Sequence, residues 1–229
     1  MIAFSIILMS RSRPQMFDSL CRSIANTCTL DYEIHVGLDS DDPTLIEYND
    51  IISNNTKCKA YIETRHSNLH VRLNSMLETI SGRYIFGLND DCLLTHNGWD
   101  KEAVDLLDDA GDIVYGRTYD NSIDRINNQY AAFPIVSKVA AKKLGFIIDD
   151  SYGNHGADVI TYRIYQGAGK VVDLKCVQID HLFHNSVISL EHRMSDQTAV
   201  EMIQRTMQGG FNINNLFTID LSDKINKLI

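Results

Sequence analysis

Residues 83–91 read Arg83-Tyr84-Ile85-Phe86-Gly87-Leu88-Asn89-Asp90-Asp91, an apolar run that breaks into an amide and two adjacent carboxylic acids. A strand covered on both faces carries such an uninterrupted apolar stretch, and a polar stop marks where it reaches the rim of its sheet. Just upstream, Leu69, Leu73, Met76, Leu77 and Ile80 recur at helical spacing. They predict a helix over 69–80, separated from the strand by Ser81-Gly82.

The same alternation extends toward the N-terminus. Residues 3–9 form a β-rich run ended by Ser10-Arg11-Ser12-Arg13, and Pro14 opens a helix to about residue 27. The next strand, 32–38, closes in Asp39-Ser40-Asp41-Asp42. Asp42 as N-cap and Pro43 in the first turn then predict the start of a second helix. A third strand is expected over 58–63. Strands alternating with helices at this spacing predict an α/β fold with a mostly parallel central sheet and helices on both faces.

Beyond Asp91 the rhythm loosens. The pattern predicts helices over 98–107, 137–144, 158–166 and 195–207, extended segments over 112–115 and 130–136, and a last strand over 171–179. With only 3 Pro and 13 Gly, and no Ser/Gly tract, charge block or repeat, the chain offers no linker. Residues 1–229 are therefore expected to form one domain, with 187–229 as a helical packing arm.

Of the 229 residues, 44% are hydrophobic and 22% charged, and Lys+Arg 21 against Asp+Glu 30 gives a net charge of -9. That balance argues against a protein that grips nucleic acid by neutralising many phosphates. The cysteines Cys21, Cys28, Cys58, Cys92 and Cys176 are odd in number and form no C-x-x-C pair, so a reducing, cytoplasmic setting is expected. The apolar run 2–9 is too short for a membrane span and lacks the features of a signal peptide.

In an open α/β sheet, ligands bind where the loops leave the carboxyl ends of the strands. Ser10, Arg11 and Arg13 follow the first strand, Asp39, Asp41 and Asp42 the second, and Asp90 and Asp91 the fourth. Turns favour Asp, Asn and Ser, so one such loop means little. Convergence of all of them on one rim points to a site. Two neighbouring carboxylates after a buried strand repel, and a hard divalent cation such as Mg²⁺ or Mn²⁺, carrying a diphosphate, offsets that repulsion.

Four pieces, in their order and spacing, resemble the GT-A nucleotide-sugar glycosyltransferases, in particular the family 2-like group, over roughly residues 3–184. They are Phe4-Ser5-Ile6-Ile7-Leu8-Met9-Ser10-Arg11-Ser12-Arg13-Pro14, His35-Val36-Gly37-Leu38-Asp39-Ser40-Asp41-Asp42, the segment 72–91, and Gly156-Ala157-Asp158-Val159-Ile160-Thr161-Tyr162-Arg163. The resemblance implies a Rossmann-like sheet with a nucleotide-binding half at 1–91 and an acceptor-side half at 92–186 that includes a smaller antiparallel region. It implies transfer of a sugar from a nucleoside diphosphate donor, a UDP-sugar among the candidates, to a hydroxyl acceptor with inversion, and a need for Mn²⁺ or Mg²⁺.

Residue by residue, Asp39 resembles the acid that hydrogen-bonds the nucleotide base, with Ser10 and Arg11 or Arg13 lining the same pocket and Arg72 near the nucleotide. Asp90 and Asp91 match the D-x-D-type motif, with Asp91 a metal ligand and Asp90 a ribose or metal contact. Asn89 stands where that motif has its first acid, so both assignments stay open. His181, in Asp180-His181-Leu182-Phe183-His184-Asn185, resembles an added metal ligand, and His184 shares that segment. Asp158 resembles the general base, with the upstream Asp149-Asp150 as competitors and a helix-capping role as its alternative. His155 is a candidate acceptor contact.

Several other signals fail on their own residues. Gly167-Ala168-Gly169-Lys170 has Ile164 and Val171 where a phosphate loop needs Gly and Ser or Thr. No G-x-G-x-x-G follows the first strand and no G-x-S-x-G elbow occurs. Trp99 is read as a sugar-stacking ring or a buried anchor. A related nucleotidyltransferase lacks support because its Gly-rich opening is missing. A non-catalytic nucleotide-sugar-binding module would bind donor without turnover.

Overall fold

The first strand, β1 (Phe4–Ser10), is buried along nearly its whole length, as its unbroken apolar sequence requires. It pairs in parallel with β2 (Tyr32–Asp39) on one side and β4 (Tyr84–Gly87) on the other, and β2 pairs in parallel with β3 (Cys58–Glu63). The computed structural model describes residues 1–66, 68–121, 130–151, 156–182 and 219–229. Within them the sheet order is β3-β2-β1-β4-β7-β6-β8-β5, with β5 at Cys92–Leu94, β6 at Tyr115–Asp120, β7 at Ile135–Ser137 and β8 at Val171–His181. β7 and β5 run antiparallel to their neighbours, and β6 and β8 pair in parallel. The sheet is mostly parallel, with its antiparallel strands confined to the second half.

Helices cover both faces. One core joins Phe4, Ile6 and Leu8 to Phe17, Leu20 and Ile24 of α1 (Pro14–Thr27) and to Leu107 of α4 (Trp99–Ala110). The other joins Ile7 and Ile85 to Leu73 of α3 (Leu69–Ser75), Ala140 of α5 (Lys138–Leu144) and Ile160 of α6 (Ala157–Gly167). Trp99 resolves as the buried anchor: it is fully buried against Phe4 and Phe86, and its Nε1 donates to Thr27 Oγ1 at 3.2 Å. No sugar can reach its ring. Among the described residues, no helix is long and apolar enough to cross a membrane. None of the five cysteines forms a disulfide, although Cys21 and Cys58 Sγ lie 3.9 Å apart.

The structure departs from the sequence expectation in four places. The helix expected to open at Asp42-Pro43 begins later, as α2 (Leu45–Ser53), because the Asp42 carboxylate turns back to accept from Thr44 N and Oγ1, each at 2.8 Å. The helix expected over 69–80 is α3 followed by a single 3-10 turn at Met76–Glu78. The extended segment placed at 112–115 falls mainly at Tyr115–Asp120, and β5 was not expected at all. Gly82 does more than separate two elements: a Cβ there would lie 2.4 Å from Ser5 N, so only glycine lets this turn press on β1. The helix expected over 195–207 lies outside the described residues. From the C-terminal arm, α7 (Ser222–Asn226) packs on α6, with Ile225 filling the space beside Gly167.

One side chain fastens the two halves. Asn74 on α3 accepts from Ile147 N at 2.8 Å and Ile148 N at 3.1 Å, and donates to Ile148 O at 2.8 Å. Asp149 N in turn donates to Thr161 Oγ1, one turn into α6, at 2.9 Å. Ile148 also lies against Gly87, so the start of α6 is held at the rim where β4 ends.

At the opposite end of the strands, Glu33 is buried in a polar cluster. It accepts from Ser5 Oγ at 2.7 Å, Ser81 N at 2.5 Å and Lys59 Nζ at 3.0 Å, with His35 Nε2 3.0 Å away. Burial alone would raise this carboxyl, yet these donors hold it down to about 2 from an ordinary 4.5. A group depressed in the folded chain adds stability above its unfolded value and loses it as pH falls through the folded one. Glu33→Gln should therefore lower the melting temperature most above pH 5, the gap to wild type narrowing as pH falls from about 4.5 toward 2. Melting curves with a pH-independent gap would contradict this.

Candidate active site

Three parallel strands deliver the charged loops to one rim. Ser10 closes β1, and its hydroxyl donates to Asp90 Oδ2 at 2.5 Å while Tyr48 OH lies 2.6 Å from it. Since the single Ser10 proton goes to the acid, Tyr48 is the donor in the second contact. Arg13 N in turn donates to Tyr48 OH at 3.0 Å. A directed chain of hydrogen bonds thus runs from the start of α1 through α2 to the buried carboxylate. Burial pushes the Tyr48 hydroxyl up to about 12, so it stays a proton donor at any ordinary pH.

Asp90 is completely buried. That burial raises its carboxyl to about 6, even with the Arg13 charge and the Ser10 hydrogen bond opposing. Arg13 Nη2 lies 2.6 Å from Asp90 Oδ1, and its Nη1 lies 3.7 Å from Asp91 Oδ2. For Asp91, burial also works upward, but neighbouring His181, followed by the Arg13 charge, holds the carboxyl below its usual range. His181 Nε2 stands 3.4 Å from Asp91 Oδ1. The end of β8 is fixed there by His181 N donating to Asn121 Oδ1 and Leu182 N donating to Asp91 O, both at 2.9 Å.

The second charged group surrounds Asp39. Arg72, buried on α3, donates through Nη1 to Asp39 Oδ1 and through Nη2 to Leu38 O at 2.8 Å. Arg11 Nη1 donates to Asp39 Oδ2 at 2.9 Å and to Asp41 Oδ1 at 2.6 Å. The two groups are joined because Ser12 N donates to Asp42 Oδ2 at 2.7 Å. Ser12 makes that contact with φ +56, a left-handed backbone that a non-glycine residue rarely holds. The loops after β1, β2 and β4 therefore meet, as expected from Ser10, Arg11, Arg13, Asp39, Arg72, Asp90 and Asp91.

A divalent cation suits part of this set. Asp91, His181 and Cys92 each place a ligand atom within 4.8 Å of the others, and Asp91 Oδ1 is a buried carboxylate oxygen with no hydrogen-bond donor among the described residues. An oxygen and an imidazole nitrogen match Mn²⁺ well. Cys92 belongs to the core, and burial drives its thiol far above its ordinary range, so the neutral thiol is a packing group. Both oxygens of Asp90 face protein partners, Ser10 and Arg13.

Asp158 sits in the first turn of α6, its Oδ1 accepting from Val159 N at 2.9 Å. Its rivals are engaged elsewhere: Asp149 is paired with Lys224 of α7 and accepts from Ser151 N, and Asp150 accepts from Asn74 Nδ2 at 3.3 Å. His155 and His184 lie outside the described residues. Sequence reasoning did not single out Tyr48, whose only signal is an aromatic ring within a helix of mixed character, or Asn121. A hollow of about 460 Å³ between α1 and α2, lined by Asp18, Cys21, Arg22, Tyr32 and Asn55, contains none of the strand-end residues.

Comparison with solved structures places this arrangement among known folds. A mannosyltransferase, PcManGT from Pyrobaculum calidifontis in complex with GDP-Man and Mn²⁺, superposes with TM-score 0.66 at 12% identity over 90% of this chain and 64% of its own. S. aureus TarS residues 1–349 superpose with TM-score 0.61 at 13% identity over 75% of this chain and 58% of TarS 1–349. The same TarS segment in complex with UDP gives TM-score 0.62 over 97% of this chain and 77% of its own. The chain thus spans about three fifths of the first two structures. No curated protein sequence matches it. The sequence profile of glycosyl transferase family 2 matches residues 5–164, which include every strand-end residue of the site except His181, and the chain belongs to that family.

Proposed function

We propose that the protein transfers a sugar from a nucleoside diphosphate donor to a hydroxyl acceptor with inversion at the sugar carbon, and that it requires Mn²⁺ or Mg²⁺. The observation that carries this reading is the buried Asp91 carboxylate facing His181 at 3.4 Å, on the rim where Asp39 sits between two arginines. The solved relatives hold UDP, UDP-GlcNAc or GDP-Man, and one of them Mn²⁺. A UDP-sugar is the first donor to test.

Each residue then has a role that its surroundings support. Asp39, held by Arg72 and Arg11, accepts from the N–H of the base. Arg72 is buried and anchored to Leu38 O, so it orients Asp39 rather than moving with ligand. Ser10 and Arg13 form the wall between base and diphosphate. Asp91 and His181 would hold the cation, with Asp90 behind them, and a cation held there would supply positive charge against the departing nucleoside diphosphate. Asp158, at the start of α6 and tied to the rim through Asp149 and Asn74, takes the proton from the acceptor hydroxyl as it attacks the sugar carbon from the face opposite the leaving group.

Two measurements test this reading. With Mn²⁺ present, one or more of UDP-glucose, UDP-GlcNAc and GDP-mannose should raise the melting temperature, because a ligand that binds only the native state stabilises it. Asp91→Asn should abolish the Mn²⁺-dependent part of that rise; an unchanged rise would count against the metal role of Asp91. Asp158→Asn should keep donor binding but slow sugar transfer by about 10²- to 10⁴-fold, the usual range for loss of a general base. Full transfer by that variant would return the role to Asp149 or Asp150.

A further inference from the structure

Arg13 stands where a cation binding Asp91 would feel it directly. Its guanidinium spans both acids, Nη2 2.6 Å from Asp90 Oδ1 and Nη1 3.7 Å from Asp91 Oδ2, while 29% of the side chain remains exposed. The backbone beneath it is fixed by the Tyr48 hydrogen bond and by the strained Ser12 turn. Among the described residues, the side chain's ion pairs are with the acids it faces. Asp90 is wholly buried, and a buried carboxylate without a compensating cation is strongly disfavoured. The protein therefore supplies its own positive charge to the acidic pair.

A guanidinium and a divalent ion cannot share Asp91 without close like-charge repulsion, which is weakly screened at a buried rim. From the Arg13 guanidinium bridging Asp90 and Asp91 we infer that Arg13 is a built-in counter-ion of the acidic pair, which competes with the divalent cation and yields the Asp91 side of the bridge when the cation binds. This rests on the metal role of Asp91 proposed above. The planar, always-charged fork suits the exchange: on leaving Asp91 it can meet a diphosphate bidentately, which a lysine could not do. Free energy that would be lost in separating Arg13 from the acid is returned only when donor and cation arrive together. The site is thereby biased against holding a cation without donor.

The test measures Mn²⁺ binding to the full chain at pH 8 without nucleotide, from the electron paramagnetic resonance signal of free Mn²⁺. Arg13→Gln should bind Mn²⁺ at least about tenfold more tightly than wild type, because one positive charge beside the ion has gone. Arg13→Met, which removes the charge with a different side chain, should do the same, and Arg13→Lys should stay close to wild type. A folded Arg13→Gln or Arg13→Met that binds Mn²⁺ no more tightly than wild type overturns the inference. If neither variant folds, Mg²⁺ titration of the wild type, followed by the Arg13 Nε–H NMR resonance, decides it: a resonance that does not move at saturating Mg²⁺ overturns it. Mn²⁺ binding that is equal in wild type and variants, and lost in Asp91→Asn, defeats the counter-ion role alone. Absence of Mn²⁺ binding in every variant, with or without UDP, defeats the metal role of Asp91 as well.

Discussion

The compensation of buried negative charge at the end of β4 governs the rest of the molecule. Asp90 is placed in the interior by the apolar strand before it, and an ionised carboxylate there survives only if positive charge and hydrogen-bond donors converge on it. Ser10 must close β1 beside it, Tyr48 must reach across from α2, and Arg13 must begin α1 within ion-pair distance. The parallel order of β2, β1 and β4 is what makes this possible, because it sends all three strand ends to one rim.

Much of this was legible in the sequence because both faces of β1, β2 and β4 are covered. Full burial leaves continuous apolar runs, and the helices between them show clear helical spacing. The acids and arginines at the strand ends were likewise visible as a set. Their pairing was not: that Arg72 rather than solvent meets Asp39, and that Arg13 meets Asp90, depends on contacts between residues 33 and 77 positions apart.

The second half was harder to read for physical reasons. β6 contains Gly116, Arg117 and Asp120 and leaves part of one face exposed, so its alternation is weak. β5 is three residues long and exists because β8 pairs with it. Asp42 follows its local preference for a turn in place of the helix cap that Pro43 suggested, since its other oxygen holds Ser12. Trp99, eight residues after Asp91, packs away from the acidic loop because its ring completes the core between Phe4 and Phe86.

Arg72 and Asn74 stand two residues apart on the same short helix, one gripping the acid at the end of β2 and the other the loop that leads into α6. A seven-residue helix has no room to bend between them. Whatever shifts the grip at one end tilts the other, so under the roles proposed for Asp39 and Asp158 a new base preference and a new acceptor would evolve through one lever, with neither free to drift alone.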